Sequence, residues 1–466
     1  MVKIVMIGAG SAVFSKNVIA DILWHEALAD SELVLVDIDP ERLDTALALA
    51  KSINATLGAR ARISATRHRR RALAGANFVI CTIGVGGLKA TIDDIMTPLK
   101  FGVKQTVGDT IGVGGVFRAM RSVPEALAIC ANMEELCPGA LLLNYTNPMA
   151  MHCLAIFRAS KVRAVGLCHG VQNTAQTMRM IVELMKHPKE EVIRHFRRPW
   201  DSPKRVEEWQ RWMAEGKDPH LSYTCAGINH MAFFLRFESA GRDIYPYLWK
   251  ALEIPHMLRL DPVRFELFRR LGYFMTETSG HMAEYVPYFL KSPREISQRH
   301  LRVSSYVGTC KELDAAYRQL RRTVKSGRQI VQVPYEPSNE HASRIINAAV
   351  TDRPFIFNGN VHNRGGALIS NLPGDSCVEV PCVSGRAGIQ PVSIGELPPQ
   401  CAALIRTNIN VQDLAVRGIL EGKREYIYQA VMMDPNTASV LTLPEIWKLC
   451  DTMFEVHHKR LPVNLR

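Results

Sequence analysis

Two short stretches bring together residue types that can do chemistry. Gly166-Leu167-Cys168-His169-Gly170 places a cysteine beside a histidine at the end of an apolar run, and Ala226-Gly227-Ile228-Asn229-His230 ends a second strand-like run on a histidine. Thiolate sulfur and imidazole nitrogen are borderline-soft ligands that suit a divalent first-row metal. Two protein ligands, Cys168 and His230, would leave coordination positions for substrate oxygens, as Lewis-acid catalysis requires. No metal-binding spacing joins them, so a core or capping histidine and an ordinary thiol stand as the alternatives at this point. The run Glu277-Thr278-Ser279-Gly280-His281-Met282-Ala283-Glu284-Tyr285 adds six side chains able to carry protons or hydrogen bonds. Asp109, in Gly108-Asp109-Thr110 and close to Arg118, is a further titratable group, and reads equally as a loop or helix cap.

These groups need a scaffold, and the amino-terminal half supplies a recognisable one. Residues 3–7 form an apolar run. Gly8-Ala9-Gly10-Ser11 follows, then a helical stretch to Leu23 and a second apolar run, 32–36, ending at Asp37. This is the β–turn–α–β opening of a dinucleotide-binding domain. Gly8, Gly10 and Ser11 would let the backbone approach a pyrophosphate at the helix N-terminus, and Asp37 would accept hydrogen bonds from the adenosine ribose of NAD. The third glycine of the usual fingerprint is replaced by Val13. Further buried-strand patterns run over 78–84, 140–143 and 163–167, the last delivering Cys168 and His169 to the sheet end where ligands collect. Gly112-Val113-Gly114-Gly115 reads as a glycine-rich loop before a helix from Phe117. Asn147 precedes Pro148, which biases it to an extended backbone with its amide free to face a ligand.

The pattern predicts an α/β fold: a Rossmann-type doubly wound sheet over 1–185, then an interlocked α+β domain over 186–466 of the lactate/malate dehydrogenase C-terminal type. Residues 186–220 read as a charged, exposed helical insertion with Trp200, Trp209 and Trp212 as packing anchors. Residues 358–363 and 369–373 read as sheet edges and turns, and the last hundred residues as mostly helical.

Composition bounds the class. The chain has 466 residues, 47% hydrophobic and 22% charged, and no apolar run long enough to span a membrane. Eleven cysteines without a paired rhythm read as thiols of a cytoplasmic protein. The formal net charge of +12 sits largely in local runs such as Arg67-His68-Arg69-Arg70-Arg71, with no nucleic-acid motif beside them. Neither a nucleic-acid nor a membrane partner is expected.

GAGS, GDTIGVGG, NYTNPM, GLCHGVQ, AGINHMAF and HMAEY occur in the order seen in glycoside hydrolase family 4, and NLPGDSCVEVPC, LIRTNINVQ and AVMMDP extend the similarity towards the C-terminus. The chain most resembles the α-galactosidase (melibiase) branch. The resemblance implies an NAD- and Mn²⁺-dependent α-glycosidase that avoids the usual carboxylate pair. A hydride leaves C3 of the sugar, a proton leaves C2, the C1–O bond breaks by elimination, water adds back and the hydride returns. Carried over by position, Cys168 and His230 are the metal ligands, Asn147 binds substrate and Tyr285 is the base; Arg118, close to Asp109, is a further candidate for binding substrate. His169 or Asp109 is the acid. The substrate is an α-linked oligosaccharide or glycoside of galactose, with galacturonate, glucuronate and glucose as alternatives, and the assembly a homodimer or homotetramer. Gly87-Leu88-Lys89-Ala90-Thr91 lacks the arginine expected of the phospho-sugar branch. Two other classes compete: a hydroxy-acid dehydrogenase of lactate/malate type and a non-catalytic NAD- or nucleic-acid-binding protein. The Cys168 and His230 pair favours the hydrolase.

Overall fold

A computed structural model describes the chain except residues 199–201, 203, 206, 209–210, 213–219 and 466, and only the backbone at 12 and 13. Six parallel strands open it: β1 (Lys3–Ile7), β2 (Glu32–Val36), β3 (Arg62–Thr66), β4 (Phe78–Cys81), β5 (Leu141–Asn144) and β6 (Arg163–Gly166). Their spatial order is β3-β2-β1-β4-β5-β6, the doubly wound arrangement. The inner strands β1, β2, β4 and β5 are buried on both faces because helices cover both, whereas the edge strand β3 is largely polar and has no buried residue. Ile4 and Met6 of β1 enter one core, Val5 and Ile7 the other; Leu33 and Leu35 of β2 oppose Val34 and Val36 in the same way.

The sheet does not stop at β6. β7 (Leu221–Ile228), β8 (Met231–Ser239), β9 (Arg242–Asp243), β10 (Phe355–His362), β11 (Cys377–Gly385) and β12 (Gly388–Pro391) complete it. The order continues β6-β10-β11-β7-β8-β9, with β12 on β11, and every added pairing is antiparallel. A Rossmann-like sheet thus runs into an antiparallel α+β half. The residues expected as a sheet edge, 358–363, instead lie largely in β10, between β6 and β11. Their polar side chains disguised an interior strand: Asn358 donates to Cys225 O at 2.8 Å and Asn360 to Glu379 Oε1 at 3.2 Å, so burial is satisfied by hydrogen bonds.

The other correction concerns Gly112–Gly115. These residues are the first turn of the helix Gly112–Leu136 and not a loop ahead of it. They are small because the preceding segment lies on them: a Cβ on Gly114 would meet Gly108 O at 2.4 Å and one on Gly115 would meet Thr110 C at 2.6 Å.

The insertion is helical over Lys189–Arg197. Trp212 is an anchor there, 1% exposed and stacked on His187 at 4.6 Å, whereas Trp200 and Trp209 lie outside the described residues. The C-terminal helix Leu443–His457 is docked by a buried ionic cluster. Arg121 donates to both oxygens of Asp94 at 2.8 and 2.7 Å, and His457 Nε2 lies 3.1 Å from Asp94 Oδ1. No helix among the described residues is long and apolar enough to cross a membrane.

Candidate active site

The C-terminal ends of β1, β4, β5 and β6 open into one cavity of about 1480 Å³, beyond the ordinary range for a single small ligand. Ten of the residues singled out from the sequence line it: Gly8, Gly10, Ser11, Asp37, Asp109, Arg118, Asn147, Cys168, His169 and His230. Tyr285 does not.

At one end is the dinucleotide cradle. Gly10 N–H donates to Asp37 Oδ2 at 2.7 Å, and a Cβ on Gly10 would meet that oxygen at 2.6 Å, so only glycine fits. Ser11 precedes the helix Ala12–Trp24 without capping it through its side chain, which leaves the first helical N–H groups open to an anion. The donors, the acceptor and the absence of side chains fit a dinucleotide pyrophosphate and ribose.

At the other end stand Cys168, His230 and Glu277, which the sequence offered only as one member of a protic run and not as a partner of the other two. Cys168 Sγ lies 3.5 Å from His230 Nε2 and 3.6 Å from Glu277 Oε1, and the latter pair is 3.6 Å apart. An ion bound at about 2.1–2.3 Å by such ligands in tetrahedral array needs edges of about 3.4–3.6 Å. The triangle therefore fits a divalent ion. Two of its corners are held at an energetic cost: His230 and Glu277 have φ of 64° and 70°, left-handed values costing about 1–3 kcal/mol each in non-glycine residues. Such strain is characteristic of functional sites. Burial pushes the Cys168 thiol up and lowers His230 to about 4, so the bare protein favours a neutral imidazole, the metal-binding form. Burial also raises Glu277, but the surrounding imidazoles and Arg264 outweigh it and hold the carboxyl below its usual range.

Around this triangle the polar groups are ordered. Glu277 Oε2 faces His281 Nδ1 at 3.6 Å, so one carboxylate spans the cluster and a further imidazole on the cavity wall. His169 Nδ1 lies 3.2 Å from Glu340 Oε1. That contact raises His169 above the ordinary histidine value, against the opposing effect of burial. Asn147 Nδ2 donates to Asp109 Oδ2 at 2.9 Å, and Arg118 Nε donates to Asn147 O at 3.2 Å. Asp109 Oδ1 is buried with no hydrogen-bond partner among the described residues.

Tyr285 is placed differently. Its ring is 1% exposed and 6.3 Å from that of His230, and its hydroxyl donates to Thr110 Oγ1 at 3.0 Å. Burial pushes its pKa well up. The protic run from 277 to 285 was the signal that could have found Glu277 and His281, but only the backbone turn at Glu277 decides which members face the cavity. Glu340, far away in sequence, had no signal at all.

The chain matches the family 4 glycosyl hydrolase profile over residues 3–184 and the family 4 glycosyl hydrolase C-terminal domain over 225–437. It is 38% identical to an alpha-galactosidase of Bacillus subtilis, with 99% of both chains covered. It is 35% identical to an alpha-galactosidase of Rhizobium meliloti, covering 99% of this chain and 89% of that one. In fold it resembles the 6-phospho-beta glucosidase of Thermotoga maritima, solved with manganese, NAD⁺ and glucose-6-phosphate, with a TM-score of 0.74 at 19% identity over 98% of this chain and 99% of that one. A doubly wound sheet with an antiparallel extension, nine ordered sequence motifs and two full-length relatives lead to one conclusion: the chain belongs to family 4 of the glycosyl hydrolases.

Proposed function

We propose that this enzyme is an NAD⁺- and Mn²⁺-dependent α-galactosidase. The observation that carries the reading is a single cavity joining a dinucleotide cradle to the Cys168–His230–Glu277 triangle. The preference for galactose rests on the two alpha-galactosidase relatives. Gly8, Gly10, Ser11 and Asp37 would hold the dinucleotide, and Cys168, His230 and Glu277 the ion. When bound, the first supplies a reversible hydride acceptor and the second Lewis acidity towards sugar oxygens.

The chain's own groups do the rest. Asp109 Oδ1, buried and without a hydrogen-bond partner among the described residues, accepts a hydrogen bond from a sugar hydroxyl. Asn147, its amide nitrogen already committed to Asp109, presents its carbonyl oxygen to another. His169 is oriented through Nδ1 by Glu340, which leaves Nε2 to deliver a proton to the departing glycosidic oxygen. His281, on the cavity wall with its Nδ1 facing Glu277 Oε2 and its ring 4.7 Å from that of His230, accepts the C2 proton. Residues 1–185 act as the nucleotide-binding unit, and 186–466 as the unit for metal, substrate and assembly. We place the enzyme in the cytoplasm as a homodimer or homotetramer.

A uronide is the second reading. Arg259 and Arg302 line the cavity, are exposed and form no ion pair among the described residues, so a carboxylate-bearing sugar would find cations there. The test is nitrophenol release from p-nitrophenyl α-galactoside and α-galacturonide with Mn²⁺ and reductant, with and without NAD⁺. Release from the galactoside that requires NAD⁺ and leaves no net NADH is expected. Release from the uronide alone would move the specificity, and net NADH formation from a hydroxy acid would overturn the hydrolase mechanism.

A further inference from the structure

Glu284 and Tyr285 are both buried, and neither lines the cavity. Glu284 ends the short helix Ser279–Glu284, and its carboxylate is turned onto the segment before Asp109. Oε1 accepts the N–H of Thr106, the N–H of Val107 at 2.5 Å and the Thr106 hydroxyl at 2.8 Å. The N–H of Gly108 lies 3.1 Å from both carboxylate oxygens. Three consecutive backbone donors converging on one carboxylate form an anchor that no neutral side chain of that length reproduces. Two residues further on, Tyr285 donates its hydroxyl to Thr110 Oγ1 at 3.0 Å. Tyr285 is itself held from behind, its carbonyl accepting from Asn408 Nδ2 at 3.1 Å on the helix Pro399–Glu421. Asp109 lies between the two anchor points.

We propose that Glu284 and Tyr285 are positioning residues that clamp the 106–110 segment and thereby set where Asp109 meets the substrate. The role of Asp109 rests on the function proposed above; the clamp does not. Tyr285 on this account is no proton acceptor, because its hydroxyl already serves Thr110.

The test combines Y285F, T110V, E284Q, E284D and D109N. Y285F and T110V each remove the same hydrogen bond, so each is expected to lower kcat/KM by no more than about tenfold, with the pH–rate profile unchanged and little further loss in the double variant. A proton-accepting tyrosine would instead cost roughly 10²–10⁴ in kcat. E284Q removes the charge that lets Oε1 serve several donors and turns an amide N–H₂ towards the Gly108 N–H; a loss of about 100-fold in kcat/KM is expected, with partial rescue by E284D. In a D109N background E284Q is expected to cost far less, since it acts through Asp109. Hydrogen exchange gives a readout without catalysis: the amides of Thr106, Val107 and Gly108 lose protection in E284Q and keep it in Y285F. Folded E284Q with those amides still protected would overturn the clamp. So would a loss beyond 100-fold in Y285F with T110V near wild type, and should E284Q not fold, that pair decides. Wild-type protein silent on every glycoside would sink the proposed function while leaving the exchange result to judge the clamp.

Discussion

Gly170→Ala isolates the third corner of the triangle. Gly170 opens the helix Gly170–Lys186, and a Cβ there would sit 2.1 Å from Glu277 Oε1 and 3.0 Å from Glu277 Cδ. Non-bonded Cβ contacts require roughly 3.0–3.4 Å, so the carboxylate oxygen has to retreat by about 0.9–1.3 Å. Its backbone, at φ 70°, lies in a narrow left-handed well, so the side chain must absorb the shift. A metal–oxygen bond of about 2.1 Å does not survive stretching by about 1 Å. Losing a supporting group at a metal site typically costs 10–100-fold in affinity, or about 1.4–2.8 kcal/mol, and losing a ligand costs at least that. The fold should not suffer, because alanine at a helix position of ordinary backbone geometry is neutral or stabilising by up to about 1 kcal/mol. The assay is Mn²⁺ binding, followed by the electron paramagnetic resonance signal of the free ion, beside a thermal melt of the metal-free protein. Weakened binding with an unchanged melting temperature is expected. Wild-type Mn²⁺ affinity in G170A would refute Glu277 as a ligand and leave Cys168 and His230 as the only protein donors.

Two further outcomes are expected. Arg121→Met leaves Asp94 buried without its bidentate partner and should destabilise the protein by about 3–5 kcal/mol in denaturant titration at neutral pH. Burial raises the Asp94 pKa, but His457 and Arg121 outweigh it and depress the folded-state value. The stability gained through that ionisation is therefore present above the ordinary carboxylate range and lost as pH falls through the folded value, so the gap between variant and wild type should narrow in acid; a constant gap would count against it. Asp37→Ala removes the acceptor of Gly10 N–H and the proposed ribose contact together, so KM for NAD⁺ should rise by about 10–100-fold with little change in kcat. An unchanged KM for NAD⁺ in D37A would remove Asp37 from the cradle.

The legible parts of this protein are those where one residue type answers one local demand. The strands β1 and β2 follow from runs of apolar residues buried on two faces, and β1 and β2 appear at the residues that the pattern predicts. Gly10 and Asp37 announce the cradle because only a missing side chain allows the carboxylate to reach the Gly10 N–H. Cys168 and His230 stand out by residue type as candidate soft ligands, and the structure brings the two to 3.5 Å.

What the sequence could not supply is direction and partnership across the chain. In the protic run from 277 to 285, period and composition do not tell inward from outward; the left-handed turn at Glu277 aims its carboxylate at Cys168 and His230 and leaves Tyr285 behind, against Thr110. Asn358 and Asn360 look like edge residues until β11 and β7 supply the acceptors that let them be buried. Glu340 reaches His169, and Asp94 meets His457, only because the sheet and its helices bring distant segments within hydrogen-bonding range. Composition and local pattern determine which elements form and which atoms can react; long-range packing alone decides which of those atoms share a cavity, because a few ångströms of side-chain placement separate a ligand from a buried neighbour.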